Sequence, residues 1–140
     1  MNGVVQKLIN DHVEEDRLLD ELRELSNGDE MRRKFSIFCR NLKYHIYLEE
    51  EILFPKLDLS DPMVIELMNQ HVAMWNLMAQ IEESYDINSL KMLSSLLKVH
   101  NAIEETNVYP RLNELKLEEI NEQIPDGWVP KFMRGKTLTF

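Results

Sequence analysis

His45-Ile46-Tyr47-Leu48-Glu49-Glu50-Glu51-Ile52-Leu53-Phe54-Pro55 is followed, at a constant offset of 55 residues, by His100-Asn101-Ala102-Ile103-Glu104-Glu105-Thr106-Asn107-Val108-Tyr109-Pro110. In each stretch a histidine stands four residues before a pair of glutamates, and an aromatic residue with a proline closes the segment. A His and a Glu four apart lie on one face of an α-helix, displaced by one turn, so both side chains can reach a single point. Working outward, apolar residues recur at threes and fours: Phe35, Phe38, Leu42, His45, Glu49, Ile52 around the first motif, and Leu90, Leu93, Leu97, His100, Glu104, Val108 around the second. That period is helical.

Two further helical stripes carry the remaining histidines: Val5, Leu8, His12, Leu19, Leu22, and Val64, Leu67, Met68, His71, Met74, Trp75, Met78, Ile81. Asn10-Asp11-His12-Val13 matches Asn69-Gln70-His71-Val72 at an offset of 59. Each half of the chain is therefore a two-helix unit with a His on its first helix and a His-x-x-x-Glu on its second, and pairing the units buries both stripes. Breaks at Ser26-Asn27-Gly28, Pro62 and Pro125 to Gly127 predict helices over 3–25, 29–57, 62–84 and 88–114. The predicted caps are Asp29, then Ser60 or Asp61 ahead of Pro62, then Asn88 or Ser89. The expected fold is all-α: an up-down-up-down four-helix bundle over 1–124, with a short fifth helix near Leu117 to Ile124, and a tail over 125–140.

At 140 residues one domain and one core suffice. No apolar run approaches the roughly 20 residues of a membrane span, and residues 1–10 carry no secretory pattern, so a cytoplasmic location is expected. A net charge of −9 argues against nucleic acid and anionic membranes, which need a basic face. The single cysteine, Cys39, rules out an internal disulfide and any two- or four-cysteine zinc site. A metal would have to use nitrogen and oxygen.

The chain has four histidines, and all four lie on apolar stripes. One such histidine is ordinarily a hydrogen-bonded core residue. Four of them with two acids in one layer would cost several kcal/mol in desolvation, and no basic side chain on the stripes offsets it. A bound cation resolves the conflict. His12, His45, His71 and His100 as terminal ligands, with Glu49 and Glu104 as bridges, suit a dinuclear centre. A nitrogen-rich, two-metal set favours iron over manganese or zinc.

These residues resemble the haemerythrin-like (HHE) cation-binding family: the paired, proline-ended His-x-x-x-Glu-Glu motifs at 45–55 and 100–110 carry the resemblance, which spans Asn10 to Pro110. It implies a non-haem di-iron centre with an oxo or hydroxo bridge in a four-helix bundle, held by His12, His45, Glu49, His71, His100 and Glu104. Oxygen-carrying haemerythrins have a second histidine four residues after that on the third helix; here the position is Trp75. With that ligand missing, the expectation moves from reversible oxygen carriage toward binding or reduction of O2, NO or peroxide, with electrons from a donor protein. The alternative is a non-enzymatic oxygen carrier, iron store or iron donor. The pattern is also similar to the di-iron domain of iron–sulfur cluster repair proteins, but those carry an amino-terminal cysteine pair.

Other residues have looser roles. Asp16, one turn from His12, is expected beside an imidazole or in solvent. Glu50 and Glu105 repeat like the bridges but sit about 100° round the helix, so a surface or interhelix pairing is expected. Glu14 to Asp16 read as an exposed acidic face. Met74, Met78, Trp75 and Phe38 are core or pocket wall, and spacing does not choose among Tyr44, Tyr47 and Tyr109 as a hydrogen-bond donor near a bound ligand. The tail holds Trp128, Phe132, Met133 and Phe140 with Lys131, Arg134 and Lys136. It is expected to drape over its own domain, with a homodimer formed through it as the alternative.

Overall fold

A computed structural model describes residues 2–26 and 28–134. The described residues form no strand. Four main helices, α1 (Gly3–Glu24), α2 (Asp29–Leu48), α3 (Pro62–Glu83) and α4 (Ile87–Ile103), agree with the predicted spans, and a short α5 (Tyr109–Asn113) prolongs the fourth. α1 packs on α2, α2 on α3, α3 on α4, and α4 returns to α1, so the four close a ring.

The caps follow local chemistry. The Asn2 side chain accepts from the Val5 N–H at 2.8 Å and donates to the Leu112 carbonyl at 3.0 Å, tying the start of α1 to α5. Asp61 accepts from the Met63 N–H, with Pro62 opening α3 as expected. Asp29 is not a cap: Gly28 holds that place without a side-chain bond, and Asp29 lies inside the first turn, where its charge suits the helix dipole. Neither Asn88 nor Ser89 caps α4. Asp86 does, accepting from the Asn88 N–H and from the Ser89 hydroxyl.

The two proline-ended motifs share a departure from α geometry that periodicity does not reveal. Each helix widens into a π turn beginning at the motif glutamate, Glu49–Leu53 and Glu104–Val108. The Phe54 N–H reaches back to the Glu49 carbonyl and the Tyr109 N–H to the Glu104 carbonyl, five residues away. Proline supplies the cause: Pro55 and Pro110 have no N–H for the carbonyl four residues back, and their rings would collide with it, so the preceding turn opens by one residue.

The core is two apolar clusters. One holds Leu18, Leu19, Leu22, Phe35, Phe38, Leu42, Met74, Met78, Leu90 and Leu97 among others; the second holds Val5, Leu8, Leu53, Phe54, Val64, Leu67, Val108 and Tyr109. α1 and α3 meet the second cluster first and the first cluster later, while α2 and α4 meet them in the reverse order. On every helix the residues between the clusters are the histidines and their glutamates.

The expected fifth helix over 117–124 is absent. Residues 116–125 run without regular structure, as a strap. Leu117 and Ile120 pack on the second cluster, and Glu122 accepts from the Tyr44 hydroxyl through its carbonyl at 2.5 Å and from the Tyr47 hydroxyl through its carboxylate at 3.0 Å. Tertiary contacts replace the backbone bonds a helix would have made. Beyond the strap Trp128 lies edge-on to Tyr47 and Trp75, and its indole N–H donates to Glu51. The described part of the tail therefore packs on its own bundle; Lys136 and Phe140 lie outside the described residues. No described helix is long and apolar enough to cross a membrane.

Candidate metal centre

α1 supplies His12, α2 His45, α3 His71 and α4 His100, while Glu49 and Glu104 open the two π turns. All six residues are buried, none more than 3% exposed. His71 Nε2 lies 3.1 Å and His100 Nε2 3.9 Å from Glu49 Oε1, and His100 Nε2 lies 3.4 Å from Glu104 Oε2. On the other side His45 Nε2 is 3.1 Å from Glu49 Oε2, and His12 Nε2 is 3.1 Å from Glu104 Oε1. Each carboxylate thus turns one oxygen to the His71/His100 pair and one to the His12/His45 pair. Glu49, His71, His100 and Glu104 form one group whose candidate ligand atoms all lie within 4.8 Å of one another, and His12, His45 and Glu104 form a second.

The outward ring nitrogens show where two of the rings carry hydrogen. His71 Nδ1 is 2.7 Å from Glu50 Oε2, and His100 Nδ1 is 2.8 Å from Gln70 Oε1. Both partners accept, so these Nδ1 atoms carry hydrogen, and the Nε2 atoms face carboxylate oxygens. Two acceptors face each other at such range only when a proton or a cation lies between them. Burial opposes the charged form of His100, yet the Glu104 and Glu49 carboxylates outweigh it and lift its pKa to about 9. Burial likewise pushes Glu104 up, but the facing His100 charge and hydrogen bonds hold it well below the usual carboxylate range. Glu104 Oε2 has no hydrogen-bond partner. The cluster draws in positive charge, and its donor set fits divalent or trivalent metals that take nitrogen with oxygen.

A family model for the hemerythrin HHE cation-binding domain matches residues 3–112. The chain belongs to that family. Searches of curated proteins and of solved structures returned no match.

Around this HHE domain's centre the structure settles the roles that spacing leaves open and corrects one, that of Glu15. Glu50 is buried, bonded to His71, with its other oxygen accepting the Lys131 N–H of the tail at 2.7 Å; its repeat counterpart Glu105 has a side chain 42% exposed and stands 3.7 Å from His12 Nδ1. Glu15, read as part of an exposed acidic face, is 1% exposed, 3.8 Å from His45 Nδ1, and has no hydrogen-bond partner on either oxygen. Burial raises its pKa to about 7. Its spacing of three from His12 was the available signal. Asp16 is only half-buried and makes no bond to an imidazole. Tyr44 and Tyr47 hold the strap, whereas the Tyr109 hydroxyl enters the centre, 3.0 Å from His12 Nε2 and 3.2 Å from His45 Nε2. Burial and the two carboxylates push that hydroxyl well above its usual pKa. Cys39 is buried among apolar residues, its pKa pushed up by burial, away from this chemistry.

Proposed function

We propose that this HHE domain is a non-haem di-iron protein that binds or reduces a small ligand such as O2, NO or peroxide. His12 and His45 would hold one iron with Glu49 Oε2 and Glu104 Oε1; His71 and His100 would hold the second with Glu49 Oε1 and Glu104 Oε2. The observation that carries the reading is the way each buried carboxylate turns one oxygen to each histidine pair. When bound, the iron pair supplies one-electron redox steps and Lewis acidity to the small ligand. The chain's own part is placement and exclusion. Glu50 and Gln70 fix the tautomer and tilt of His71 and His100. The apolar clusters on either side of the layer keep water out, and Tyr109 brings its side-chain oxygen to 3.2 Å from both Glu49 and Glu104. The reading treats the chain as an up-down-up-down bundle over 1–124 with a tail over 125–140, acting in the cytoplasm with electrons from a donor protein.

Iron content per chain and the absorption spectrum, recorded anaerobically and after air or NO, test this. Two irons per chain are expected, falling to one or none in His45→Ala and Glu49→Ala. Unchanged metal content in both variants would overturn the ligand set. A spectrum that returns on deoxygenation would make the protein a carrier, and zinc alone at one per chain would leave a structural site.

A further inference from the structure

Among the positions at which the two motif copies differ, one changes what reaches the histidine layer: Phe54 stands where the second half has Tyr109. In an α-helix a residue five positions after a glutamate lies about 140° round the axis from it. A π turn closing over five residues brings it almost over that glutamate, so Phe54 returns to the face of Glu49 and Tyr109 to the face of Glu104. Both rings are buried against a histidine: Phe54 stacks on His71 with centroids 5.9 Å apart, and Tyr109 on His12 at 5.4 Å. Only Tyr109 carries an oxygen into the layer.

That oxygen lies 3.0 Å from His12 Nε2 and 3.2 Å from each of His45 Nε2, Glu49 Oε2 and Glu104 Oε1. Among those four atoms His12 Nε2 to Glu104 Oε1 and His45 Nε2 to Glu49 Oε2 are each 3.1 Å. Ligand atoms about 2.1 Å from one octahedral cation stand about 3.0 Å from their cis neighbours. The hydroxyl oxygen is spaced from the other four as a fifth ligand is from its cis partners. A neutral phenol has one hydrogen and can satisfy one of these acceptors; a shared cation satisfies all five atoms together.

We infer that Tyr109 is a ligand, as phenolate, of the iron held by His12 and His45, and that Phe54 leaves the His71/His100 iron as the one with the open position. The inference rests on the di-iron reading. On loading with iron the Tyr109 hydroxyl would give its proton to solvent, so loading would release one proton per chain more than it does in Tyr109→Phe. The small ligand then binds on the His71/His100 side, where Phe54 stacks on His71.

The full chain, loaded with ferrous iron under nitrogen and oxidised in air, is read for iron per chain, visible absorption and resonance Raman scattering. A phenolate-to-iron charge-transfer band with tyrosine ring modes is expected. Read per iron retained, it should vanish in Tyr109→Phe and roughly double in Phe54→Tyr. The triple variant Tyr44→Phe, Tyr47→Phe, Tyr85→Phe should keep it, which assigns the band to Tyr109 even where Tyr109→Phe folds poorly. Two irons without the band, or a band lost in the triple variant, overturns the inference while leaving the di-iron reading intact; a wild-type chain retaining no iron overturns both.

Discussion

A carboxyl group buried without a hydrogen-bond partner costs about 1–3 kcal/mol, and Glu15 is such a group, with both oxygens unpartnered beside His45. A metal pair would offset that cost by drawing positive charge toward the imidazole that Glu15 faces, and an acceptor behind a ligating histidine sharpens its tilt and basicity. Metal-free and metal-loaded forms should therefore respond in opposite senses to Glu15→Met, which keeps the length and removes the acid. The metal-free variant should be more stable than wild type by about 1–3 kcal/mol, while its iron affinity falls about 10-fold or more. Denaturant titration with and without iron checks both. A variant stabilised equally in the two forms would show that Glu15 has no part in holding metal.

The helices were legible because each mixes a steady 3.6-residue stripe with breaks that admit no helix, and the six inward residues were legible because they sit on those stripes. What periodicity cannot carry is a change of period. Pro55 and Pro110 close the two motifs inside the predicted helices, yet their effect reaches back through the preceding turn, and that turn decides whether Phe54 and Tyr109 face the centre. Glu50 makes the interhelix pairing expected of it, with His71, whereas Glu15 lies buried instead of on an exposed face, because a position on one helix does not say what the next helix puts opposite. The segment over 117–124 misled in the other direction, since its spaced apolar residues pack without a helix. Pro110→Ala restores an N–H that can reach the Thr106 carbonyl, so the π turn can close to α and swing Tyr109 off the glutamate face. Iron affinity should fall about 10-fold or more, with helix content by circular dichroism unchanged or slightly raised. Full iron affinity in this variant would mean that the glutamate, not the proline, holds the turn open.

At the scale of the whole molecule the duplicated halves enclose a polar layer between two apolar clusters, and the tail adds an inequality to that between Phe54 and Tyr109. Lys131 donates its N–H to Glu50 Oε1 while Glu50 Oε2 holds His71 Nδ1, so the tail is two hydrogen bonds from one histidine pair, and among the described residues no such bond joins the tail to Glu105 in the other half. Trp128, packed on Tyr47 and Trp75, and Arg134, bonded to Glu51, clamp the segment that carries Lys131. A chain ending at Ile124 should keep its helix content and melt several degrees lower. It should also lose iron unevenly, about 10-fold weaker at the His71/His100 position and near wild type at the His12/His45 position, as resolved by stepwise iron titration. Glu50→Gln keeps the tail docked through Trp128 and Arg134 but weakens the hold on His71, so it should reproduce the uneven iron loss with little change in melting temperature. Equal weakening at both positions in either variant would place the tail's effect in general stability rather than in the aim of His71.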